Sequence, residues 1–449
     1  MTSPKDTIFA LASGSGTVAL SVIRVSGDRS RIALERLVGS VGAPRRCYLR
    51  KLRDPQPAEI LDEAVVVWFP GPASFTGEDC AEFHIHGGRA VQEGVLRALS
   101  RVPGLRLAEP GEFTRRAVVN GKMDLVEAEG LGDLLSAQTS AQRRQAMSQM
   151  LGDASTVFDS WREQLLLIRA AIEAAVDFAD EQGVAKEAQK DIDSRICALL
   201  SKLEAAQARA VAAAAVRDGV KVVLAGRSNT GKSSLLNALV GRDTAIVSAI
   251  PGTTRDAIEV FLDLDGIPVV LTDTAGLREG ATDAVEAEGI RRSWRKLADC
   301  DILVWVAAPD VMGSQEYDPD VTPDILVESK SDIAESNLRL YRNEKSIRSQ
   351  VILSAETGEG IEAFLRMLTD LARERFIGAE NPVVVTERQR LVTADTIVSL
   401  RNSIVHGSDA LELKAEEIRR AADSLGRLTG RVEVEEWLGA IFSRFCIGK

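Results

Sequence analysis

Gly226-Arg227-Ser228-Asn229-Thr230-Gly231-Lys232-Ser233 fits the spacing G-x-x-x-x-G-K-[ST], directly after the apolar run Val220 to Ala225 and directly before Ser234-Leu235-Leu236-Asn237-Ala238-Leu239. A strand that ends in a glycine-rich loop and resumes as a helix is the setting in which this spacing cradles phosphate. The glycines let successive backbone N–H groups turn toward one anion at the helix N-terminus. The feature commits the surrounding chain to a doubly wound α/β layer. From Gly219 to about Phe376 strand-like runs (Ile267 to Thr272, Ile302 to Val306, Val351 to Leu353) do alternate with helical pattern. Thr230, Gly231 and Ser234 belong to the same turn, Lys232 is expected to reach the β and γ oxygens, and the Ser233 hydroxyl is a Mg²⁺ ligand.

Three further elements follow in the order and spacing of a GTPase. Pro251-Gly252-Thr253-Thr254-Arg255-Asp256 offers threonine hydroxyls, Thr253 and Thr254, to Mg²⁺ and the γ-phosphate from a glycine-hinged loop. Asp273-Thr274-Ala275-Gly276 ends an apolar strand, so Asp273 would hold Mg²⁺ through water and the Gly276 N–H would sense the γ-phosphate. Base recognition departs from the usual Asn-Lys-x-Asp: the chain has Ser329-Lys330-Ser331-Asp332, in which Asp332 pairs with guanine N1 and N2 hydrogens and the Lys330 stem lies over the ring. Serine is shorter than asparagine, so a weakened brace is expected, with guanine preference kept and affinity reduced. Ser354-Ala355 matches the loop that supports guanine O6. Leu277, after the Asp-x-x-Gly element, cannot orient an attacking water as glutamine would, so the catalytic group must come from elsewhere. A monovalent cation beside the phosphate loop could supply the missing charge, and the Asn229 side chain is suitably located to hold it.

The chain has 449 residues, of which 45% are apolar, enough for about three domains with ordinary cores. Residues 1–121 mix β-rich runs (Val18 to Arg24, Ala64 to Phe69, Cys80 to Ile85) with a helix-like stretch from Val91 to Leu99, and read as a small α+β domain. Residues 122–218 are helical, with Phe158, Trp161, Leu165, Ile168, Ile172 and Val176 on one face; residues 219–376 form the α/β domain; residues 377–449 are helical again. Neither helical block buries its apolar stripe alone, so the economical architecture is one discontinuous helical domain with the α/β domain inserted into it. Lys and Arg number 55 against 66 Asp and Glu, a net charge of −11 that disfavours broad nucleic-acid or anionic membrane contact. Any RNA contact must be local or shared with a partner. There is no secretion signal or membrane-spanning run, which points to the cytoplasm, and Cys47, Cys80, Cys197, Cys300 and Cys446 lack the spacing of a disulfide framework or zinc site. His84 and His86 share a strand face without a third ligand, which favours packing over metal binding.

The chain resembles the tRNA modification GTPases of the MnmE/TrmE type over essentially its whole length. The resemblance rests on Val22-Ile23-Arg24-Val25-Ser26-Gly27, Phe69-Pro70-Gly71-Pro72 with Ser74-Phe75-Thr76-Gly77-Glu78-Asp79, His86-Gly87-Gly88, Pro110-Gly111-Glu112-Phe113-Thr114, the nucleotide motifs, and the ending Cys446-Ile447-Gly448-Lys449. It implies a folate-binding N-terminal domain that dimerises, a discontinuous helical domain and an inserted Ras-like G domain. It also implies potassium-dependent GTP hydrolysis and a flavin-dependent partner of the MnmG/GidA type, acting together on C5 of the wobble uridine of certain tRNAs. By motif match Asn229, Ser248, Ile250 and Thr253 resemble the potassium ligands; Thr254 and Ser233 serve Mg²⁺. Glu286, in Asp283-Ala284-Val285-Glu286-Ala287-Glu288-Gly289-Ile290, resembles the residue that orients the hydrolytic water, with Glu288 its competitor. Arg24, Glu82, Lys122 and Lys449 resemble the contacts to a formyl- or methylene-tetrahydrofolate, and Cys446 either serves the modification chemistry or packs after Phe445. One folate pocket drawing on both ends of the chain requires the terminal helix (Val434, Trp437, Leu438, Ile441, Phe442, Phe445) to return to the first domain. The alternatives are a ribosome-assembly GTPase, which would carry a basic RNA-binding module that the region after Asn381 does not offer, and a nucleotide-binding scaffold with negligible turnover.

Overall fold

The computed structural model describes residues 6–14, 16–56, 58–177, 182–242, 245–246, 259–273, 300–314, 322–333, 349–376, 382–406, 410–431, 439, 441–442, 445 and 447–448. The chain divides into two compact units. The first comprises Met1–Gly132, Gln149–Asp159 and Leu425–Lys449, the second Asp133–Ser148 and Ser160–Ser424.

The first unit is built on β1 (Thr7–Leu11), β2 (Leu20–Ser26), α1 (Ser30–Val38), β3 (Tyr48–Pro55), β4 (Ala58–Phe69), β5 (Cys80–His86), α2 (Arg89–Ser100), β6 (Leu105–Leu107) and α3 (Glu112–Val119), followed by α4 (Leu125–Ser136). Its sheet runs β3-β4-β5-β2-β1-β6, antiparallel throughout except for the parallel β1–β6 pair. Side chains alternate between the two faces. Phe9, Ile23, Val25, Ala81, Phe83 and Ile85 form one core with Leu34 and Leu37 of α1 and Val95 and Leu99 of α2. Ile8 and Ala10 face the other way, against Ala108, Phe113 and Phe75. That second face also carries Arg24 and Glu82, which stand opposite each other on β2 and β5.

The end of the chain returns to this unit. Phe442 and Phe445 pack on Ala128 of α4, and Ile447 makes an antiparallel bridge with Pro110. Gly448, at φ 101°, lies so close to β1 that a Cβ there would stand 2.0 Å from the Leu11 carbonyl, so only glycine fits. The return that a shared pocket requires is therefore present; Val434, Trp437 and Leu438 lie outside the described residues.

The second unit contains α5 (Ser140–Met150), most of α6 (Asp153–Asp177), α7 (Gln182–Asp218), the inserted α/β domain, α10 (Glu387–Val405) and most of α11 (Leu411–Leu428). The periodicity of α6 is realised in burial: Phe158, Trp161, Leu165, Ile168 and Ile172 are all buried. Thr386 starts α10 with a reciprocal cap, its side chain accepting from the Gln389 N–H.

The inserted domain holds β7 (Val220–Ala225), α8 (Lys232–Val240), β8 (Ala245–Ile246), β9 (Glu259–Leu264), β10 (Ile267–Asp273), β11 (Ile302–Ala307), β12 (Ile325–Glu328), β13 (Ser349–Ile352) and α9 (Ile361–Phe376), in sheet order β13-β12-β11-β7-β10-β9-β8. The sheet is mixed, not wholly parallel: β9 runs antiparallel to β10, and β8 to β9. The cause is local. Asp265 (φ 56°) and Gly266 (φ 87°) both adopt left-handed backbone, the two-residue turn whose twist suits a hairpin. Strand order reverses around β7, which leaves a crevice beyond its carboxyl end, where ligands bind in such sheets. Among the described residues no helix is long and apolar enough to cross a membrane.

Candidate functional site

The phosphate end of the crevice is set by backbone that side chains would obstruct. Gly226 sits at φ 142°, where a Cβ would come within 2.2 Å of the Val306 carbonyl, and Gly231 sits at φ 90°. Asn229 takes φ 65°, a conformation asparagine tolerates better than most residues. Thr230 is buried and its hydroxyl donates to the Arg227 carbonyl at 2.9 Å. The Lys232 ammonium, on a side chain folded back along the loop, donates to the carbonyls of Gly226 (2.9 Å) and Arg227 (2.8 Å). Burial pushes its pKa down, while the Asp273 charge works in the opposite direction.

Ser233 donates to Asp273 Oδ2 at 2.7 Å, and Asp273 Oδ1 is buried without a hydrogen-bond partner among the described residues. A hydroxyl and a carboxylate with an unsatisfied buried oxygen are hard oxygen donors, and they fit Mg²⁺. Ser234 is exposed in the first turn of α8.

At the base end, Ser354 donates to Asp332 Oδ1 at 2.5 Å and receives the Thr357 N–H on its hydroxyl. Ala355 follows in the same loop. Lys330, at φ 59°, pairs with Asp310 at 2.7 Å. Asp310 lies in the loop after β11, which Arg227 also holds by donating to the Met312 carbonyl. Sequence reading missed both contacts, because nothing in the spacing of Arg227, Asp310 and Lys330 marks them as neighbours. The brace expected to weaken with serine is made: Ser329 is buried and its hydroxyl lies 2.5 Å from the Thr230 carbonyl and 3.1 Å from that of Ala307.

Lys232, Ser233 and Asp273 thus converge at one end of the crevice and Ser329, Lys330, Asp332 and Ser354 at the other. Ser248, Ile250, Thr253, Thr254, Thr274, Ala275, Gly276, Leu277, Glu286 and Glu288 lie outside the described residues, as do Cys446 and Lys449.

A second polar constellation occupies the outer sheet face of the first unit. Arg24 donates to Glu82 Oε1 at 3.0 Å, and His84 stands 3.2 Å from Oε2. The Arg24 guanidinium lies 5.0 Å from the Phe75 ring centroid and 5.9 Å from that of Phe113. The hydrogen bond with His84, then the charge and hydrogen bond of Arg24, hold the Glu82 carboxyl below its ordinary range against the opposing effect of burial. An ionised carboxylate between aromatic rings and a guanidinium fits a heteroaromatic ligand with N–H donors on its edge. The Lys122 stem lies against Gly77, in the loop that carries Phe75. His86, by contrast, is exposed and pinned by Asp62 at 2.7 Å.

Beside this face, Glu112 at the start of α3 is almost wholly buried. It accepts two hydrogen bonds from Arg106 (2.8 and 2.7 Å), one from Arg116 (3.0 Å) and one from the Glu109 N–H (2.9 Å). Burial alone would raise its pKa, but the hydrogen bonds from Arg106, Glu109 and Arg116 overcome it and bring the value from 4.5 down to about 2. A depressed carboxylate pKa adds stability that is complete above the ordinary value and disappears as pH falls toward the folded one. Discounted for solvent around the arginines, that is on the order of 2 kcal/mol. Glu112→Gln should therefore lower the melting temperature at pH 7, and the gap from the parent chain should shrink by more than half at pH 3. An equal gap at both pH values would show that packing, not charge, is what Glu112 contributes.

Two family models match the chain: GTP-binding protein TrmE N-terminus over residues 7–122 and MnmE helical domain over residues 125–446. The tRNA modification GTPase MnmE of Methylobacterium sp. (strain 4-46) is 46% identical over 448 residues, covering 99% of this chain and 100% of the relative. That of Bradyrhizobium sp. (strain ORS 278) is 47% identical over 443 residues, 99% of each chain, and that of Rhodopseudomonas palustris is 46% identical over 451 residues, 99% of this chain and 100% of its own. With a phosphate loop, a magnesium-competent Ser233–Asp273 pair and likeness of this extent, the chain belongs to the MnmE family of tRNA modification GTPases, GTP hydrolases that act in tRNA modification.

Proposed function

We propose that the chain is a potassium-dependent GTPase that works with a flavin-dependent partner of the MnmG/GidA type to modify C5 of the wobble uridine in certain tRNAs, using a one-carbon tetrahydrofolate. In this reading it acts in the cytoplasm as a homodimer joined through residues 1–121. The domain limits are those of the sequence: a folate-binding domain to residue 121, helical segments 122–218 and 377–449, and the G domain 219–376.

The observation that carries the potassium requirement is Asn229 at φ 65° in the phosphate loop, combined with Leu277 where a glutamine would orient water. Asn229, Ser248, Ile250 and Thr253 would hold potassium, which would supply positive charge where negative charge develops during hydrolysis. Lys232 holds the β and γ oxygens, Ser233 and Thr254 hold Mg²⁺ together with Asp273, and Glu286 orients the attacking water. Arg24, Glu82, Lys122 and Lys449 bind the folate: the carboxylate accepts from the pterin edge, and the cations neutralise the glutamate tail. Support for this second site is the ionised Glu82 beside Arg24 and two aromatic rings.

Hydrolysis measured in KCl and in NaCl tests the reading. The parent chain is expected to turn over at least about tenfold faster in KCl. Asn229→Ala should abolish that difference with little change in GDP affinity, because phosphate is held mainly by backbone N–H groups and Lys232. Glu286→Ala should lower the rate about 10²-fold at unchanged affinity, the pattern of an interaction made in the transition state. Equal rates of the parent chain in the two salts would overturn the potassium reading.

A further inference from the structure

The base-recognition loop and the phosphate loop are separate pieces of chain about a hundred residues apart, and one side chain joins them. Ser329 follows β12, is 2% exposed, and directs its hydroxyl at the carbonyls of Thr230 (2.5 Å) and Ala307 (3.1 Å). Its own N–H donates to the same Ala307 carbonyl at 2.8 Å. Gly231 leaves the space it needs: a Cβ there would stand 3.3 Å from the Ser329 oxygen.

A serine hydroxyl has one proton. Guanine presents only acceptors, N7 and O6, along the edge that an asparagine amide at this position could reach with a second donor. With its single proton committed to a buried carbonyl, Ser329 has none to offer the base. Lys330 and Asp332, by contrast, are tied to Asp310 and Ser354 and leave the Thr230 carbonyl alone.

We propose that Ser329 is a positioning residue for the phosphate loop and takes no part in reading the base. By fixing the Thr230 carbonyl it fixes the peptide planes whose N–H groups, at Gly231, Lys232 and Ser233, face the β-phosphate. Discrimination of guanine then falls on Asp332, oriented by the Ser354 hydroxyl. The inference rests on the nucleotide site described above; a parent chain that failed to bind GDP would count against that site, whereas the comparisons below bear on Ser329 alone.

A role in holding the phosphate loop makes a prediction that a base contact or a general packing role does not: the effect of losing the hydroxyl depends on the β-phosphate. Affinities for GDP, GMP and IDP, the last lacking the 2-amino group, are measured by competition against a fluorescent GDP for the parent chain, Ser329→Ala and Ser329→Thr. Ser329→Ala is expected to weaken GDP and IDP binding alike, by about tenfold, and GMP by less than about threefold; Ser329→Thr, which keeps the hydroxyl, should recover most of the loss. Equal loss for GDP and GMP would overturn the proposal in favour of a base or packing role. A changed GDP to IDP ratio would overturn it in favour of base reading, and unchanged GDP affinity in Ser329→Ala would show that the contact positions nothing.

Discussion

Lys232→Met is expected to lower GTP hydrolysis about 10³-fold at saturating nucleotide, a larger loss than any other single change in the phosphate loop. The Lys232 ammonium is folded onto the Gly226 and Arg227 carbonyls, so its charge is held inside the loop before any nucleotide arrives. Phosphate oxygens would take over its donors at the point where negative charge accumulates during γ-phosphate transfer. Methionine preserves most of the buried aliphatic stem, which separates loss of charge from loss of packing. The two carbonyls can be rehydrated, so the fold of the loop should survive. Single-turnover hydrolysis with nucleotide in excess of its Kd isolates the chemical step, and a rate within threefold of the parent chain would remove Lys232 from the catalytic machinery.

The parts of this molecule that sequence displayed are those in which one local rule suffices. The phosphate loop was readable because β7, loop and α8 are contiguous. The runs Ala64 to Phe69, Cys80 to Ile85 and Ile302 to Val306 fall within β4, β5 and β11 because buried strands are written as apolar or alternating residues. Strand β3 was not readable in the same way: it is an edge strand whose outward residues Lys51 and Arg53 give no apolar signal, and its register shifts beside Leu52. The hairpin between β9 and β10 had a usable signal, Asp265-Gly266, that the expectation of a parallel sheet overrode. Contacts that join distant pieces of chain left no trace at all. Glu112 gathers Arg106 and Arg116, Ser329 reaches Thr230, and Asp310 meets Lys330, and in each case the pairing is decided by how layers stack and not by spacing along the chain. The serine at position 329 illustrates the limit: its length suggested a lost brace, yet the loops lie close enough for a shorter side chain to span them.

The second large effect concerns the last four residues. Deleting Cys446 to Lys449 should leave GTP hydrolysis within about twofold of the parent chain and reduce tRNA modification at least about 10²-fold. The nucleotide site is built wholly from residues of the second unit, Gly226 to Ser354, whereas the terminal segment belongs to the first. Phe442 and Phe445, which anchor the segment on Ala128, remain after the deletion, so the cost to folding is confined to the Ile447–Pro110 bridge and the Gly448 contact with Leu11. Leu11 pairs with Ile23, the neighbour of Arg24 on β2, so the residue after Gly448 starts from the strand pair that carries the Arg24–Glu82 constellation. A terminal lysine leaving from there can add a cation to that constellation, and a cysteine three residues earlier can bring a thiol to the same region. Mass spectrometry of the wobble nucleoside after incubation with tRNA, folate and the flavin-dependent partner reads the first outcome, and phosphate release reads the second. Lys449→Ala and Cys446→Ser then divide the loss between folate binding and thiol chemistry. A truncated chain that still modifies tRNA at the parent rate would reduce the terminal motif to a clasp on β1, and a truncated chain that lost hydrolysis as well would mean that the two units do not function as separately as their contacts divide them.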